Sequence, residues 1–197
     1  MRKLLYLVFT AAIMMTACNN KPKTSTNKTK GLPIDSLVVP YDDEYFSALL
    51  PQGWTWATDT CETWQIKHIV DSLRITSGVT EFYPPDNSFK IRLVKGATRW
   101  LAPNNPVSDW VSMILMRADA DSTCIYISEV RDSLQVDEHE ACNVWTAYDL
   151  GGDTIIQDQY VVIKDKYDLY YLSGVFDYGD DKSSRLWNKI LSTIKLK

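Results

Sequence analysis

The chain has 197 residues, with 25 acidic and 21 basic side chains and 45% apolar residues, enough for an ordinary hydrophobic core. Six of the basic residues lie before residue 34 and all the acidic residues lie after it, so the body from residue 34 carries a formal charge of −10. This charge argues against a role in binding nucleic acid, which requires a basic surface.

The first 18 residues have the pattern of a bacterial lipoprotein signal. Arg2 and Lys3 precede an uncharged apolar run over residues 4–15, as in a signal peptide. As a helix this run reaches about 18 Å, too short for a ~30 Å hydrocarbon core. Met15-Thr16-Ala17-Cys18 resembles a lipobox, the motif at which a peptidase cuts before a cysteine that carries fatty acyl chains such as palmitate. We therefore expect a signal peptide over residues 1–17 and lipidation of Cys18.

Residues 18–33 predict the lipidated cysteine followed by a flexible linker. Residues 19–31 contain four lysines, no acid and no apolar residue large enough to start a core. Asn19 and Asn20 follow the cysteine in place of Asp, which by analogy with lipoprotein sorting favours the outer membrane, with the body facing the periplasm. Residues 34–197 have the length of one domain.

The first half of the body predicts strands and one helix. Residues 45–50 are expected to form a strand. Residues 62–73 are expected to form a helix, because Ile66, Ile69, Val70 and Leu73 recur at helical spacing. Residues 79–83 and 89–95 predict two strands around a turn rich in proline and asparagine.

A second helix is expected to begin at Asn105-Pro106, where Asn can cap and Pro suits the first helical position. Its apolar stripe is Trp110, Val111, Ile114 and Leu115. Residues 124–130 predict a strand with sizeable groups on both faces, which indicates a central position in the sheet.

The last third predicts a meander of three strands over residues 143–150, 154–163 and 169–176, joined by short turns. A final helix is expected from Asp180 or Asp181 to about residue 196. The resulting fold class is α+β, an antiparallel sheet flanked by helices.

This layout resembles the PsbP-like superfamily, which includes bacterial DcrB-type lipoproteins. The resemblance rests on a strand running into Pro51-Gln52-Gly53-Trp54, a helix over residues 107–117, paired strands over 145–163 and a last strand and helix over 170–195. It covers roughly residues 45–196. The resemblance implies a PsbP-like α/β/α sandwich and a non-enzymatic binding or assembly role in or near membranes, without a shared ligand.

Three short segments are candidates for chemistry. Asp137-Glu138-His139-Glu140 offers ligands for a divalent cation, but neighbours on a strand point to opposite faces, which favours a solvated hairpin loop. His68 is interpreted as a surface or boundary residue. Asp119-Ala120-Asp121-Ser122 lacks the glycine and glutamate of a calcium loop, which favours a turn that ends a helix. We therefore expect no metal site and no cofactor.

Three cysteines remain besides Cys18, namely Cys61, Cys124 and Cys142. An oxidising envelope permits one disulfide among them, in any of three pairings. None of their spacings is a metal-binding one, and free cysteines that pack as small apolar residues are the favoured interpretation.

Trp54, Trp56 and Trp100 lie near predicted turns, where they could form an exposed aromatic surface for a partner or ligand. Packing at the rim of the core is the favoured alternative. We expect a non-catalytic envelope lipoprotein that binds a protein partner or assists assembly. The alternative is a protein that binds a lipid, glycan or peptidoglycan fragment in a groove between sheet and helix. An enzyme is a third hypothesis, which no catalytic motif supports.

Overall fold

The computed structural model describes residues 23–24, 36–62, 76–97, 106–164 and 168–197. Before the first helix, the described chain forms β1 (Lys23–Thr24), β2 (Leu37–Asp42), β3 (Phe46–Pro51), β4 (Thr55–Glu62), β5 (Thr76–Tyr83) and β6 (Lys90–Ala97). It continues with α1 (Pro106–Ala120), β7 (Cys124–Ile127), β8 (Arg131–Val136), β9 (His139–Asp149), β10 (Thr154–Ile163), β11 (Asp168–Asp177), α2 (Asp181–Leu191) and β12 (Lys195–Leu196).

Nine antiparallel strands form the larger sheet, in the order β1-β4-β5-β6-β11-β10-β9-β7, with β8 also paired to β9. One edge is therefore divided, since β8 pairs with the first half of β9 and β7 pairs with its second half. Ser128 lies at the division, where its amide donates to the Trp145 carbonyl oxygen at 2.9 Å and its Oγ accepts from the Trp145 amide at 3.0 Å.

The two faces of the large sheet carry different cores, because successive side chains on a strand point to opposite faces. One face carries Phe82, Ile91 and Leu172, which pack against the smaller sheet and α2. The opposite face carries Val144 and Val161, which pack against α1.

The smaller sheet has the order β12-β3-β2 and packs across the first face through aromatic contacts. The Tyr41 and Phe82 rings meet edge to face with centroids 4.8 Å apart, and Phe46 lies 6.2 Å from Phe82. This arrangement is a sheet-on-sheet core of the sandwich type, extended by α2.

The expected fold class, an α+β sandwich with helices flanking an antiparallel sheet, is wrong. The described chain is mostly β, with two antiparallel sheets and two helices. One face of the large sheet is covered by the smaller sheet together with α2, and not by helices alone. The prediction failed because β1, β2, β4, β8 and β12 were not recognised as strands.

Several predicted elements are confirmed. β3, β5, β6 and the meander β9-β10-β11 lie where the apolar patterns placed them, with β10 matching over its whole length. The turn between β5 and β6 is closed by the Asn87 amide, which donates to the Pro84 carbonyl oxygen at 3.1 Å. α1 begins at Pro106 as expected, with Val111 and Ile114 buried.

Three other expectations are wrong in position. β7 ends at Ile127 and lies at the edge of the sheet, with Ile125 58% exposed, so it is not the central strand predicted over residues 124–130. α2 ends at Leu191, five residues before the predicted end. Glu62, expected to begin a helix, is the last residue of β4, and the remainder of that predicted helix lies outside the described residues.

The end of α2 has a local cause. The Ser192 amide donates to the Asn188 carbonyl oxygen. The next two amides, of Thr193 and Ile194, each donate to the carbonyl oxygen three residues earlier, as in a 3₁₀ turn, and this ends the helix. Ile194 remains buried outside the helix, and Lys195 and Leu196 then pair with β3. Neither described helix is long and apolar enough to cross a bilayer.

Candidate ligand-binding cleft

A cleft opens on the sheet face that carries α2, between the start of that helix and strands β8 to β11. Its volume is about 360 Å³, at the small end of the roughly 300–1,000 Å³ typical of small-molecule sites. Aromatic rings and polar groups share its lining, which includes Arg131, Trp145, Asp158, Tyr160, Tyr178 and Asp180. The cleft can therefore offer both ring faces and hydrogen-bonding groups to one ligand.

A hydrogen-bonded chain of side chains around Asp158 forms the floor of the cleft. Asp158 Oδ1 accepts from Asn143 Nδ2 at 2.6 Å, and Asp158 Oδ2 accepts from Trp187 Nε1 at 3.0 Å. Asn143 Nδ2 also donates to the Gln159 carbonyl oxygen at 2.9 Å. Asn143 Oδ1 accepts from Arg131 Nε at 2.9 Å and from a second guanidinium nitrogen of the same residue. These hydrogen bonds hold the side chains of the floor in place, from Trp187 on α2 to Arg131 on the edge strand β8.

Asp158 is a carboxyl group in a partly desolvated position. Burial raises its pKa above the ordinary value of 3.8, although the hydrogen bonds from Asn143 and Trp187 and the charge of Arg131 favour the ionised form. The pKa of the Tyr160 hydroxyl is also raised, mainly by burial and then by the charge of Asp158. Perturbed groups that line a cleft are typical of functional sites, although structural networks produce them too.

Gly174 determines how closely α2 approaches this floor. It lies opposite Asp158 in the pairing of β10 with β11. A Cβ atom at residue 174 would lie 2.8 Å from Trp187 Cγ, closer than such contacts normally occur. The glycine therefore lets the fully buried Trp187 lie against the sheet, where its indole reaches Asp158.

Trp145 and Tyr178 form an aromatic wall of the cleft. The Trp145 ring stacks on Tyr126, which does not line the cleft itself, with centroids 4.6 Å apart and planes at 25°. Tyr126 is 50% exposed and Tyr178 is 70% exposed, which is unusual for large rings. A second depression of about 460 Å³ adjoins the cleft, shares Trp145 and Tyr178 with it, and is lined further by Ile125 and Ala147.

The turn before α2 presents Tyr178 at the rim. The Tyr178 amide donates to the Thr154 carbonyl oxygen at 2.7 Å, and Gly179 follows with a φ of 83°, a conformation that favours glycine. Asp180 then caps the helix, since its Oδ1 accepts from the amides of Lys182 and Ser183, both at 3.1 Å. The Ser183 hydrogen bonds hold the pKa of Asp180 below its usual value, so this carboxylate stays charged beside the cleft.

Trp54 and Trp56, two of the three tryptophans considered for an exposed aromatic surface, do not line the cleft. Trp54 is only 2% exposed and packs edge to face on Phe89 at 5.2 Å, as core packing predicts. Trp56 is partly buried, edge to face with Tyr41 at 5.5 Å. Trp100, Cys18 and His68 lie outside the described residues. The structure therefore does not present Trp54 to a ligand or partner.

The acidic segment that begins at Asp137 is a hairpin turn, as the favoured interpretation predicts. Asp137 and Glu138 both have positive φ, and Val136 pairs with His139 across the turn. Asp137 is not free in solvent, because its Oδ2 accepts from the Leu196 amide and its Oδ1 from Lys195 Nζ, both at 2.7 Å. Among the described residues, no three His, Cys, Asp or Glu side chains are grouped as metal ligands.

The remaining candidates have structural roles where they are described. Asp121 ends α1 and accepts from the amide and hydroxyl of Thr123, which forms a turn at the helix end as expected. Cys124 and Cys142 are both free thiols and partly buried, so no disulfide joins these two cysteines. Burial raises the pKa of the Cys142 thiol, which disfavours its reactive thiolate.

Sequence reasoning missed the residues of the cleft, although one signal was present. In β10, Ile156, Asp158, Tyr160 and Val162 alternate onto one face, so Asp158 is an acid on an otherwise apolar face. A buried charge requires partners, which marks such a position as unusual. The partners Asn143 and Arg131 come from strands whose pairing the sequence does not state.

Comparisons with known proteins do not assign the chain to a family. No family model matches the chain, and no curated protein matches it.

Proposed function

We propose that the chain is a lipid-tethered binding protein of the bacterial cell envelope, which holds a small ligand in the cleft between α2 and the large sheet. The observation that carries this proposal is the Asp158–Asn143–Arg131 chain lying next to exposed Tyr178 and half-buried Trp145. A few fixed polar groups among aromatic side chains are the usual composition of a small-molecule site. The proposed role is binding, without catalysis.

The cleft supports this role better than a purely structural one for a physical reason. Aromatic rings normally bury most of their surface on folding, yet Tyr178 and Tyr126 keep half or more of theirs in solvent. A ligand that extends from the cleft into the adjoining depression would cover both rings and remove apolar area from water, at roughly 25 cal/mol per Å². The fixed floor reduces the entropy cost of binding, because its side chains are already held.

The tether is the second part of the proposal and rests on the sequence. The apolar run over residues 4–15 and Met15-Thr16-Ala17-Cys18 support cleavage before Cys18 and its acylation, by resemblance to lipoproteins. Mass spectrometry of protein from its native host is expected to find a first residue Cys18 with acyl chains. Unmodified Cys18, or residues 1–17 still attached, would make the tether wrong. Cys18→Ser is the matched control and is expected to stay unacylated.

Binding is tested by thermal unfolding of the full chain in a detergent without a sugar headgroup. The low-mass fraction of native envelope extract is expected to raise the melting temperature of the wild type. A ligand at about 100 times its Kd adds about 2.7 kcal/mol to the free energy of unfolding. Tyr178→Ala is expected to show a smaller shift, whereas Met116→Ala, at an exposed position on α1, is expected to keep the full shift. No shift in the wild type, or an equal shift in Tyr178→Ala, contradicts the proposal.

A protein partner is the second candidate, favoured by the edge strand β7. Its Ile125 is 58% exposed beside Tyr126, and an edge strand offers unpaired backbone groups to another strand. Ile125→Lys separates the two candidates. It is expected to remove a specific crosslink to an envelope protein if the edge binds a strand, and to leave the thermal shift in place if the cleft binds a small ligand.

A further inference from the structure

We infer that the ligand of the cleft is a saccharide without acidic groups, whose ring lies on the aromatic wall while its hydroxyl groups bond to Asp158 and Arg131. This inference rests on the proposed function and names the ligand class of the same site. Three features of the cleft lead to it: the ring faces of the wall, the unused hydrogen-bonding capacity of the floor, and the net negative charge of the lining.

The aromatic wall suits the apolar side of a sugar ring. Sugar C–H groups carry a small positive charge and are attracted to the electron-rich face of an aromatic ring. Trp145 is held in a fixed orientation by its stack on Tyr126 at 4.6 Å and by the two Ser128 bonds to its backbone. Tyr178, 70% exposed at the rim, supplies a second ring. Such a wall binds a flat, weakly apolar face without requiring a deep enclosed cavity.

The floor retains capacity for hydroxyl groups. A carboxylate offers about four lone-pair sites, and Asp158 uses one on each oxygen for Asn143 and Trp187. The Arg131 guanidinium has five N–H donors, of which Asn143 Oδ1 accepts two. Arg131 is exposed, so its other donors face solvent or a ligand. A hydroxyl group both donates and accepts, and it can therefore bond to the carboxylate and the guanidinium together.

The charges of the lining select against anions. Asp158, Asp180 and Asp181 outnumber Arg131, so the charged side chains of the lining are net negative and disfavour an anionic ligand such as a phosphate or carboxylate. The mixed polar and aromatic lining also differs from the continuous apolar channel that a lipid chain requires. A ligand with many hydroxyl groups and no acidic group satisfies these constraints together.

The inference is tested by calorimetric titration of the full chain in a detergent without a sugar headgroup. The neutral probes are triacetylchitotriose, cellotriose and maltotriose. The acidic counterpart is trigalacturonate. At least one neutral trisaccharide is expected to bind, and trigalacturonate is expected to bind at least about tenfold more weakly than it does.

Variants assign the binding to the cleft. Asp158→Asn is expected to weaken binding roughly 10- to 100-fold, as for loss of a hydrogen bond to a charged group. Tyr178→Ala is expected to weaken it roughly 2- to 10-fold, whereas Tyr178→Phe, which retains the ring, is expected to bind as the wild type does. Asp153→Asn, in the exposed β9–β10 turn, is the matched control for the change of charge and is expected to have no effect.

The outcomes separate this inference from the proposed function. If the envelope fraction stabilises the protein through Tyr178 while all three neutral trisaccharides fail, the saccharide inference is wrong and the binding role stands. Equal or tighter binding of trigalacturonate also overturns it. If the envelope fraction fails as well, the proposed function is wrong together with the inference.

Discussion

Gly174 and Gly179 both lie beside the cleft, but they are glycine for different physical reasons. At Gly174 the obstacle to a larger residue is Trp187, whose Cγ would lie 2.8 Å from an added Cβ. At Gly179 an added Cβ would meet no atom within 4 Å. The obstacle there is the backbone conformation, whose φ of +83° is unfavourable for residues with a side chain. The two positions should therefore respond differently to the same substitutions.

Gly174→Ala is expected to lower the free energy of unfolding by about 1–3 kcal/mol, because the core must shift to accept the methyl group. Gly174→Asn is expected to cost more. Gly179→Ala is expected to cost about 1–2 kcal/mol, but Gly179→Asn less, because Asn tolerates the left-handed conformation. Urea denaturation of the four variants measures this contrast. Asn better tolerated than Ala at Gly174 would contradict the packing account.

Asp158 makes stability depend on pH in a direction opposite to that of most carboxyl groups. Its pKa is raised above 3.8 in the folded protein, chiefly by burial, so the folded state binds its proton more tightly than the unfolded state does. As pH rises from about 3.8 through the raised pKa, the folded state loses that advantage, and Asp158 becomes increasingly destabilising.

Asp158→Asn removes this titration. The free energy of unfolding of the wild type minus that of Asp158→Asn is expected to fall as pH rises through this window, and to level off above it. The difference is read from urea denaturation at several pH values, because titrations common to both proteins cancel in it. A difference that is constant, or that rises with pH, would show that Asp158 is not desolvated in the folded protein.

At the scale of elements, the β8–β9 turn and β12 hold each other in place. Asp137 accepts from the Leu196 amide and from Lys195 Nζ, both at 2.7 Å, and Tyr170 Oη donates to the Lys197 carbonyl oxygen at 2.6 Å. Burial opposes ionisation of Asp137, but the bonds to Lys195 and Leu196 outweigh it, so its pKa lies below 3.8. Its contribution to stability is therefore complete above pH 3.8 and is lost as pH falls through the lowered pKa.

Asp137→Asn keeps a residue that tolerates the positive φ but removes the charge. Because a neutral amide oxygen then replaces the charged acceptor of the Leu196 amide, the variant is expected to lose about 1 kcal/mol at pH 7, and the difference from the wild type should shrink at pH 3. Glu138→Gln, at the next and exposed turn position, is the control and is expected to stay within about 0.5 kcal/mol of the wild type. Chemical denaturation at both pH values measures the effect, and an Asp137→Asn cost that grows at low pH would exclude this role.

The meander could be predicted from the sequence because each of its strands is long and bounded by turn residues. Gly151 and Gly152 end β9, and β10 then runs for ten residues with few breaks. β8 could not be predicted from the sequence. A bulge between Arg131 and Leu134, with Ser133 at a φ of 60°, interrupts the alternation of side chains between the two faces of the strand. β2 contains Pro40, and β12 has only two residues, so neither provides a clear pattern.

The cleft was harder to predict because its parts are distant in sequence. Asp158 as an acid on an apolar strand face was visible, but its partners Arg131 and Trp187 are brought to it by strand pairing and helix packing. The sequence drew attention to Trp54 and Trp56 instead, since both lie near turns. Position near a turn does not determine exposure, since the Trp54 ring is buried against Phe89.

For the whole molecule, the two layers explain why the cleft lies where it does. The smaller sheet contacts β4 and β5 through the Tyr41 ring, and α2 covers β10 and β11 through Trp187. The face of β9 beyond α2, with Trp145 and Ala147, lies against the cleft and its adjoining depression. The cleft is thus the part of this apolar face that neither the smaller sheet nor α2 covers, at the edge where β7 and β8 divide.

The most direct measurement of the central claim is a nuclear magnetic resonance titration of the indole N–H signals of the full chain with the low-mass envelope fraction. Trp145 and Trp187 report on the wall and floor of the cleft, and Trp56, beside Tyr41 in β4, serves as the reference. Trp→Phe variants assign the three signals. We predict that the Trp145 and Trp187 signals move and reach a plateau while the Trp56 signal stays in place. Signals that all remain still, or a Trp56 signal that moves while the other two do not, would contradict a binding site in the cleft.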